Sequence, residues 1–233
     1  VEVLGVDFGE QALGRGRAVG SFTVVGRGAF VVRVGNEVGR RDGRGAARCR
    51  VRVAHGIGLR STATIMFGHV EGYRHWARHL LRIRALQEQT GGFTEFVPLP
   101  FVHMEAPIWR KGLARSGPSY REAVLMHAIA RIVLHPLIPN IQVSWVKMGP
   151  EGAAAILNAG ANDMGGTLMD ESISRAAGAQ HGQEMAPADM EALIRSIGRT
   201  PRQRTTVYGA IAPDLHERGM SAAPLTPSIQ TPP

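Results

Sequence analysis

Strand-like and helical segments alternate regularly between Val53 and Gly209, and this alternation constrains the fold more than any other feature. An apolar run from Leu59 to Phe67 precedes an amphipathic segment from about Gly72 to Gln89. A second run from Thr94 to Phe101 precedes a helical segment that ends near Leu134. Regular alternation of this kind favours a parallel sheet whose strands are joined by crossover helices. The sequence therefore predicts an α/β fold.

Two further units continue the pattern. We predict a third strand from Asn140 to Met148, a short fourth strand from about Gly160 to Met164, and a last helix from Ala188 to Ile197. The region is too short for a complete eight-stranded barrel, which typically needs about 250 residues. About four strand–helix units correspond instead to a partial TIM-type (β/α) barrel or to a small open sheet.

The two flanking segments differ from this region in composition. Residues 1–52 are rich in Gly and Arg, and short apolar runs at Phe22–Val25 and Ala29–Val32 predict weak strands between glycine turns. Residues 210–233 contain Pro and small residues without apolar periodicity, which predicts a disordered tail. We therefore divide the chain into an unassigned segment (1–52), an α/β region (53–209) and a tail (210–233).

Composition excludes several classes of protein. The chain has a single cysteine, Cys49, so neither an internal disulfide nor a cysteine-based metal site can form within it. Long apolar stretches and a basic-then-apolar amino terminus are both missing, so we expect a cytoplasmic protein without a signal peptide or a membrane span. The net charge is +8, but all basic residues except Lys111 and Lys147 are arginines. This bias is typical of a GC-rich coding sequence, and we predict no nucleic-acid partner.

Polar residues near the carboxyl ends of the predicted strands are the first candidates for a site, because that end carries the chemistry in (β/α) barrels. His69 and Glu71 follow the first strand and can transfer protons or bind an amine; a loop histidine and a helix-capping glutamate are the alternatives. Gln142 and Ser144 share the polar face of the third strand, where they can bind a polar substrate or form a buried network. Lys147, at the end of that strand, can bind a carboxylate or remain solvated.

The remaining candidates lie in two loops. His103 follows the second strand and is either a site residue or a solvated side chain. Gly165, Gly166 and Thr167 precede a predicted short helix, so their amides can hold an anion or simply form a tight turn. Glu171, near the start of that helix, can bind an amino group or stabilise the helix end.

Six runs in the α/β region carry a more specific signal. They are Gly58–Thr62 (GLRST), Phe67–Glu71 (FGHVE), Gly92–Phe101 (GFTEFVPLPF), Ile141–Gly149 (IQVSWVKMG), Gly165–Ser174 (GGTLMDESIS) and Thr200–Thr206 (TPRQRTT). In order and spacing they resemble the tyrosine-using component of the FO synthase family of radical-SAM enzymes. Related enzymes of the futalosine route to menaquinone share weaker versions of the same pattern.

The resemblance implies a TIM-type barrel that holds a 4Fe–4S cluster on a Cys-x-x-x-Cys-x-x-Cys loop and cleaves S-adenosylmethionine. It implies transfer of the hydroxybenzyl group of tyrosine to 5-amino-6-ribitylamino-uracil, on the route to the deazaflavin coenzyme. It also implies that the loop at Gly165–Thr167 closes the site and contacts S-adenosylmethionine or substrate. The catalytic residues themselves stay unassigned.

The chain departs from the family pattern before about Val53. The cysteine triplet is absent, and the first four barrel strands have no counterpart in residues 1–52, which we interpret as unrelated or out of frame. We therefore expect the chain alone to be unable to generate the radical, and we expect a separate amino-terminal half-barrel as its partner. The alternatives are a non-catalytic half-barrel that binds another chain and a gene fragment without function.

Overall fold

A computed structural model of the protein describes residues 22–25, 29–32, 43–168, 173–181 and 184–223. Helices and strands are mixed along the chain, which confirms the predicted α/β class. The elements are β1 (Phe22–Val25), β2 (Ala29–Val32), α1 (Gly43–Gly56), β3 (Arg60–Phe67), α2 (Tyr73–Thr90), β4 (Phe93–Pro100), α3 (Pro107–Arg110), α4 (Tyr120–Leu134), α5 (Trp145–Ala159), α6 (Ile173–Ala176), α7 (Pro187–Ser196) and α8 (Pro213–Met220).

The described strands form one sheet in the order β1-β2-β3-β4. β1 and β2 pair antiparallel, while β2 pairs with β3 and β3 pairs with β4 in parallel. The bounds of β1 and β2 coincide with the two predicted weak strands, so that prediction is confirmed. The long β3–β4 ladder aligns Thr62 with Glu95 and Phe67 with Pro100.

The two faces of β3 have different surroundings. Ala63, Ile65 and Phe67 are almost completely buried, whereas Met66 on the opposite face is 41% exposed. Successive strand side chains point to opposite faces, and α2 packs against β3 on the buried side. Burying each large apolar side chain there contributes about 1.5–3 kcal/mol.

The helix that follows β3 has the predicted amphipathic face. Trp76, Leu80, Ile83 and Leu86 are buried in α2, at the spacing of four, three and three residues that predicted one apolar stripe. Gly91 ends the helix with a left-handed φ of 61°, a conformation that favours glycine. The prediction of this helix is confirmed to within one residue at each end.

The start of α4 has a capping box formed by Ser119 and Glu122. The Ser119 hydroxyl accepts from the Glu122 amide at 3.2 Å, and the Glu122 carboxylate accepts from the Ser119 amide at 2.8 Å. These two bonds satisfy amides that have no partner inside the helix. They fix where α4 begins, and its buried face then packs against α2 and α5.

The predicted third strand, Asn140 to Met148, is wrong in extent. Single parallel bridges join Phe96 to Ile141 and Gln142 to Asp163, and α5 begins at Trp145. Trp145 and Val146 are buried side chains of the first turn of α5. Their apolar character was mistaken for that of a buried strand. The predicted fourth strand is likewise reduced to the bridge at Asp163.

The predicted boundary between residues 52 and 53 falls inside α1. Val51 is fully buried in the main core, and the His55 ring lies 2.7 Å from the Thr90 hydroxyl and 2.8 Å from the Ser61 hydroxyl. A Cβ on Gly92 would lie 2.1 Å from the His55 ring, so the close approach requires glycine there. The described α1 is therefore packed into the same core as the α/β region.

The predicted disordered tail contains α8. Pro213 and Asp214 stand in its first turn, where a fixed φ and a negative charge both favour a helix start. α8 contacts α7, and His216 Nε2 lies 3.7 Å from the carboxylate of Glu191. Pro213 and Asp214 thus favour the start of a short helix in a segment that has no apolar periodicity. Residues 224–233 lie outside the described chain.

None of the described helices is long and apolar enough to cross a membrane. The cytoplasmic location stays a prediction.

Candidate functional site

Loops at the carboxyl ends of β3 and β4 meet the segment around α6 on one edge of the molecule. The Arg115 amide donates to the His69 carbonyl at 2.9 Å, which joins the loops after β3 and β4. The Glu105 amide donates to the Ala177 carbonyl at 3.3 Å, which joins the loop after β4 to the end of α6. We call this side of the sheet the carboxyl edge.

Glu71 holds the loop that follows β3. Its carboxylate accepts from the Gly68 amide, from the His69 amide at 3.1 Å and from the Trp76 indole at 2.8 Å. Burial alone would raise the pKa of Glu71, but these hydrogen bonds outweigh it and lower the pKa below its ordinary value. The ionised carboxylate is therefore engaged by the protein itself, as an anchor of the loop at Gly68 and His69.

His69 is the member of this pair with unused hydrogen-bonding capacity. Its Nδ1 is buried and has no hydrogen-bond partner within the described residues, although Glu71 Oε2 lies 3.5 Å away. The ring packs edge-on against Phe101 with centroids 5.5 Å apart, and 15% of the side chain is exposed. Nδ1 lies towards the Glu71 carboxylate, so the exposed part of the ring is the part that a ligand can contact.

His103 lies further along the loop after β4. Its ring contacts Trp109 of α3 edge-on, with centroids 4.7 Å apart, and its carbonyl accepts from the Ala106 amide at 2.8 Å. These contacts order the loop, and His103 is not brought into contact with His69 or Gln142 by any hydrogen bond among the described residues.

Gln142 and Gly165 are brought together. Gly165 has a φ of 76°, and its amide donates to Asp163 Oδ1 at 2.6 Å. A Cβ on Gly165 would lie 2.5 Å from Gln142 Nε2, so the glutamine amide packs directly against the glycine backbone. The structure thus brings together two candidates that the sequence analysis had named separately, Gln142 and Gly165.

Gly166 and Thr167 continue this loop, and their carbonyls are both engaged. The Trp145 indole donates to the Gly166 carbonyl at 3.0 Å, and the Met185 amide donates to the Thr167 carbonyl at 3.1 Å. Among the described residues, no atom lies within 4 Å of the position that a Cβ on Gly166 would take. The loop is thus held through its carbonyls, and no described residue packs against Gly166 at that position.

The other two candidates belong to α5. Ser144 is its N-terminal flanking residue and is buried, and its carbonyl accepts from the amides of Lys147 and Met148. Lys147 lies in the first turn of α5 and not at a strand end, which corrects the prediction, and its ammonium donates to the Ser174 hydroxyl at 2.8 Å. Lys147 thereby ties α5 to α6. Glu171 lies outside the described residues.

Sequence reasoning missed a second polar group, which we call the basal cluster: Thr62, Glu95, Asp163, Arg204 and Tyr208. Glu95 accepts from the Thr62 hydroxyl at 2.8 Å and from the Tyr208 hydroxyl at 2.6 Å. Asp163 accepts two hydrogen bonds from the Arg204 guanidinium, one of them at 2.8 Å. Arg204 also stacks on Tyr208, with its Cζ 4.0 Å from the ring centroid.

The charges of the basal cluster are well defined. Burial alone would lower the pKa of Arg204, but the hydrogen bonds and charge of Asp163 outweigh it and raise that pKa. Burial and the neighbouring charge of Glu95 raise the pKa of Tyr208, so the phenol stays a neutral donor. Thr62, Glu95 and Arg204 each lie in one of the six runs, Gly58–Thr62, Gly92–Phe101 and Thr200–Thr206. Neither the composition nor the spacing of these runs indicated Asp163 as the partner.

The sequence model of the CofH/MqnC C-terminal region family matches residues 90–215, which is more than half of the chain. The chain therefore belongs to this family. This result confirms the resemblance inferred from the six sequence runs.

Curated relatives extend the match. An FO synthase of Mycobacterium leprae is 56% identical over 158 residues, which cover 68% of this chain and 18% of the relative. The 5-amino-6-(D-ribitylamino)uracil--L-tyrosine 4-hydroxyphenyl transferase of Methanopyrus kandleri is 55% identical over 158 residues, which cover 68% of this chain and 43% of the relative. An FO synthase of Mycobacterium tuberculosis is 53% identical over 162 residues. The chain thus spans less than half of the length of these relatives.

Proposed function

We propose that this chain forms the substrate-holding carboxyl-terminal part of a transferase of deazaflavin coenzyme biosynthesis. Its substrates would be tyrosine and 5-amino-6-(D-ribitylamino)uracil, the pair in the name of the Methanopyrus kandleri relative. The observation that carries the proposal is the contact of Gln142 with the Gly165 loop, next to Gly166, where no atom of the described residues would meet a Cβ within 4 Å. This arrangement lies in the part of the chain that matches the family.

We also propose that the fold is half of a TIM-type barrel. β3 and β4 pair in parallel, and the bridges Phe96–Ile141 and Gln142–Asp163 continue the same parallel order over two more strand positions. The face of β3 that bears Met66, which is 41% exposed, would then point towards the barrel interior. A separate amino-terminal half-barrel is the partner that would complete it.

The side chains of the carboxyl edge suit a polar, planar substrate. The amide of Gln142 offers a donor and an acceptor side by side, the pattern that a uracil edge needs. His69 can take or give a proton at a ring nitrogen, while Glu71 keeps the loop in place. Lys147 and Ser144 fix the start of α5 behind Gln142 and act on substrate only through this support.

The residues of this chain do not fit the 4Fe–4S cluster that the family implies. Such clusters take cysteine thiolates as ligands, and the chain has a single cysteine. The described residues also include no group of three or more His, Cys, Asp or Glu side chains placed to hold a metal ion. We therefore derive no step through the cluster, and we assign radical formation from S-adenosylmethionine to the partner half.

Calorimetric titration of the chain with 5-amino-6-(D-ribitylamino)uracil tests the proposal. We expect a dissociation constant in about the micromolar-to-millimolar range. Gln142→Ala should weaken binding by about tenfold, because the uracil edge loses its hydrogen-bonding partner. Gln89→Ala, which removes an exposed glutamine from α2, is the matched control and should bind like the unchanged chain.

Three outcomes separate the candidate roles. Binding that depends on Gln142 supports the proposed substrate site. Binding that is equal in both variants would place the ligand elsewhere and contradict the assignment of this edge. A folded chain that binds neither substrate would favour the non-catalytic alternative, a half-barrel that serves only to bind another chain.

A further inference from the structure

The basal cluster is joined to the Gly165 turn through the carboxylate of Asp163. One side of this carboxylate receives the Arg204 guanidinium, and Oδ1 also accepts from the Gly165 amide at 2.6 Å. Asp163 is 8% exposed, so few waters can replace either partner. The orientation of the carboxylate therefore depends on the arginine fork, and the Gly165 amide depends on the carboxylate.

The next contact reaches Gln142. The glutamine amide packs so closely on Gly165 that a Cβ there would lie 2.5 Å from Nε2. The backbone of Gln142 also pairs with Asp163 in a parallel bridge, and the Val143 amide donates to the Asp163 carbonyl at 2.9 Å. A shift of the Asp163–Gly165 turn must therefore move the surface on which Gln142 rests.

Arg204 itself is held on three sides. Its guanidinium stacks on Tyr208, forks onto Asp163 and lies 3.6 Å from Glu95 Oε2. Tyr208 completes the arrangement by donating to the same Glu95 oxygen at 2.6 Å. A planar guanidinium suits all three contacts at once, and an ammonium does not. Arg204, in the carboxyl-terminal segment, thus places a firmly held guanidinium beside the turn that carries Gly165.

We propose that Arg204 is a positioning residue for the candidate site, acting through Asp163 on the Gly165 turn and thereby on Gln142. The step from turn to ligand rests on the proposed function; the step from Arg204 to the turn does not. Among the hydrogen bonds of the described residues, none joins Arg204 directly to Gln142 or Gly165.

Amide hydrogen exchange measured by NMR tests the first step on the chain as it exists. Arg204→Gln should accelerate exchange of the Gly165 amide by about tenfold or more, because the carboxylate that accepts from it is no longer held. The Ala130 amide, in the fully buried part of α4, should keep its exchange rate. Arg202→Gln is the matched control, because Arg202 is an exposed arginine of the same segment, and it should leave both rates unchanged.

A double-mutant cycle tests whether the effect passes through Asp163. In an Asp163→Asn background the carboxylate is gone, so Arg204→Gln should change Gly165 exchange by less than about threefold. A full tenfold change in that background would overturn the proposal. So would acceleration of the Ala130 and Gly165 amides by the same factor in Arg204→Gln, because that result describes a general loss of stability.

Arg204→Lys keeps the proposal testable if the glutamine variant does not fold. Lysine retains the positive charge but cannot form the two hydrogen bonds that the guanidinium donates to Asp163. We therefore expect the exchange rate of the Gly165 amide to rise, with little change in that of the Ala130 amide. An unchanged exchange rate at Gly165 would overturn the proposal. Titration with 5-amino-6-(D-ribitylamino)uracil is the second readout, and Arg204→Gln should weaken binding by about the same factor as Gln142→Ala. If the unchanged chain binds no ligand, the proposed function fails while the exchange result still decides the role of Arg204.

Discussion

At the scale of single residues, burial sets the pKa values of two histidines, which the sequence alone does not indicate. His127 lies on the inner face of α4, fully buried, with Nδ1 donating to the Ala123 carbonyl at 2.8 Å. Burial lowers the pKa of His127 to about 4, although the Ala123 carbonyl acts in the opposite direction. Burial likewise lowers the pKa of His79 to about 4, and its Nε2 lies 3.0 Å from the Thr64 carbonyl.

Acid should destabilise the protein through His127. The unfolded chain takes up a proton near pH 6.5, whereas the folded chain resists it until about pH 4, so stability falls as the pH drops through this window. For His127 alone we expect a loss of about 2 kcal/mol between about pH 7 and about pH 5. Urea unfolding at the two pH values measures the difference.

Two variants isolate that contribution. His127→Asn keeps a side-chain donor near the Ala123 carbonyl and removes the titrating ring, so its stability should depend less on pH by that amount. His135→Asn changes an exposed histidine and should retain the full dependence. Equal pH dependence in both variants would contradict the assignment to His127.

Gly165 should be far less tolerant of alanine than its neighbour Gly166. Gly165→Ala puts a Cβ at a φ of 76° and 2.5 Å from Gln142 Nε2, which should cost about 1–2 kcal/mol. The glutamine amide is the flexible end of its side chain, so it should move aside and weaken ligand binding. Gly166→Ala is the control, because its Cβ would meet no atom of the described residues within 4 Å. Urea unfolding and calorimetry should separate the two variants, and equal behaviour would contradict this account.

At the scale of elements, local signals predicted the regular part of the fold and tertiary packing decided the rest. β3, α2 and α4 were predicted from apolar runs and amphipathic periodicity, which operate within a few residues. The first turn of α5 was assigned to a strand because Trp145 and Val146 are apolar in either conformation, and only their packing shows that they belong to a helix. The Gly165 turn was predicted as a site because a glycine pair before a helix is a local signal.

α1 should contribute to the stability of the whole fold. Val51 is fully buried, so Val51→Ala should lower the unfolding free energy by about 2 kcal/mol through lost burial and the cavity left behind. Val53→Ala removes the same atoms from a side chain that is 60% exposed and should change it by less than about 0.5 kcal/mol. Urea unfolding of both variants checks this. Equal small effects would mean that α1 is not part of the cooperative unit.

At the scale of the molecule, contacts distant in sequence explain what the sequence alone left open. Arg204 and Asp163 are 41 residues apart, and Tyr208 and Glu95 are 113 residues apart. Neither pair is marked by periodicity or by a local motif, so the basal cluster is visible only once the chain is folded. The candidate residues at the carboxyl edge were accessible to sequence reasoning because strand ends in a parallel sheet converge. Their individual roles, such as the engagement of Glu71 by its own loop, were not.

The central claim is that this chain holds substrate while another half supplies the radical. We would incubate it anaerobically with S-adenosylmethionine, tyrosine and 5-amino-6-(D-ribitylamino)uracil after iron–sulfur reconstitution, with and without the amino-terminal part of the Methanopyrus kandleri relative. Formation of 5′-deoxyadenosine and of the coupled product would be measured. We predict neither from the chain alone, both from the mixture, and less coupled product when the chain carries Gln142→Ala. Cleavage of S-adenosylmethionine by the chain alone would contradict the account. So would a mixture that forms the same amount of coupled product with and without Gln142→Ala.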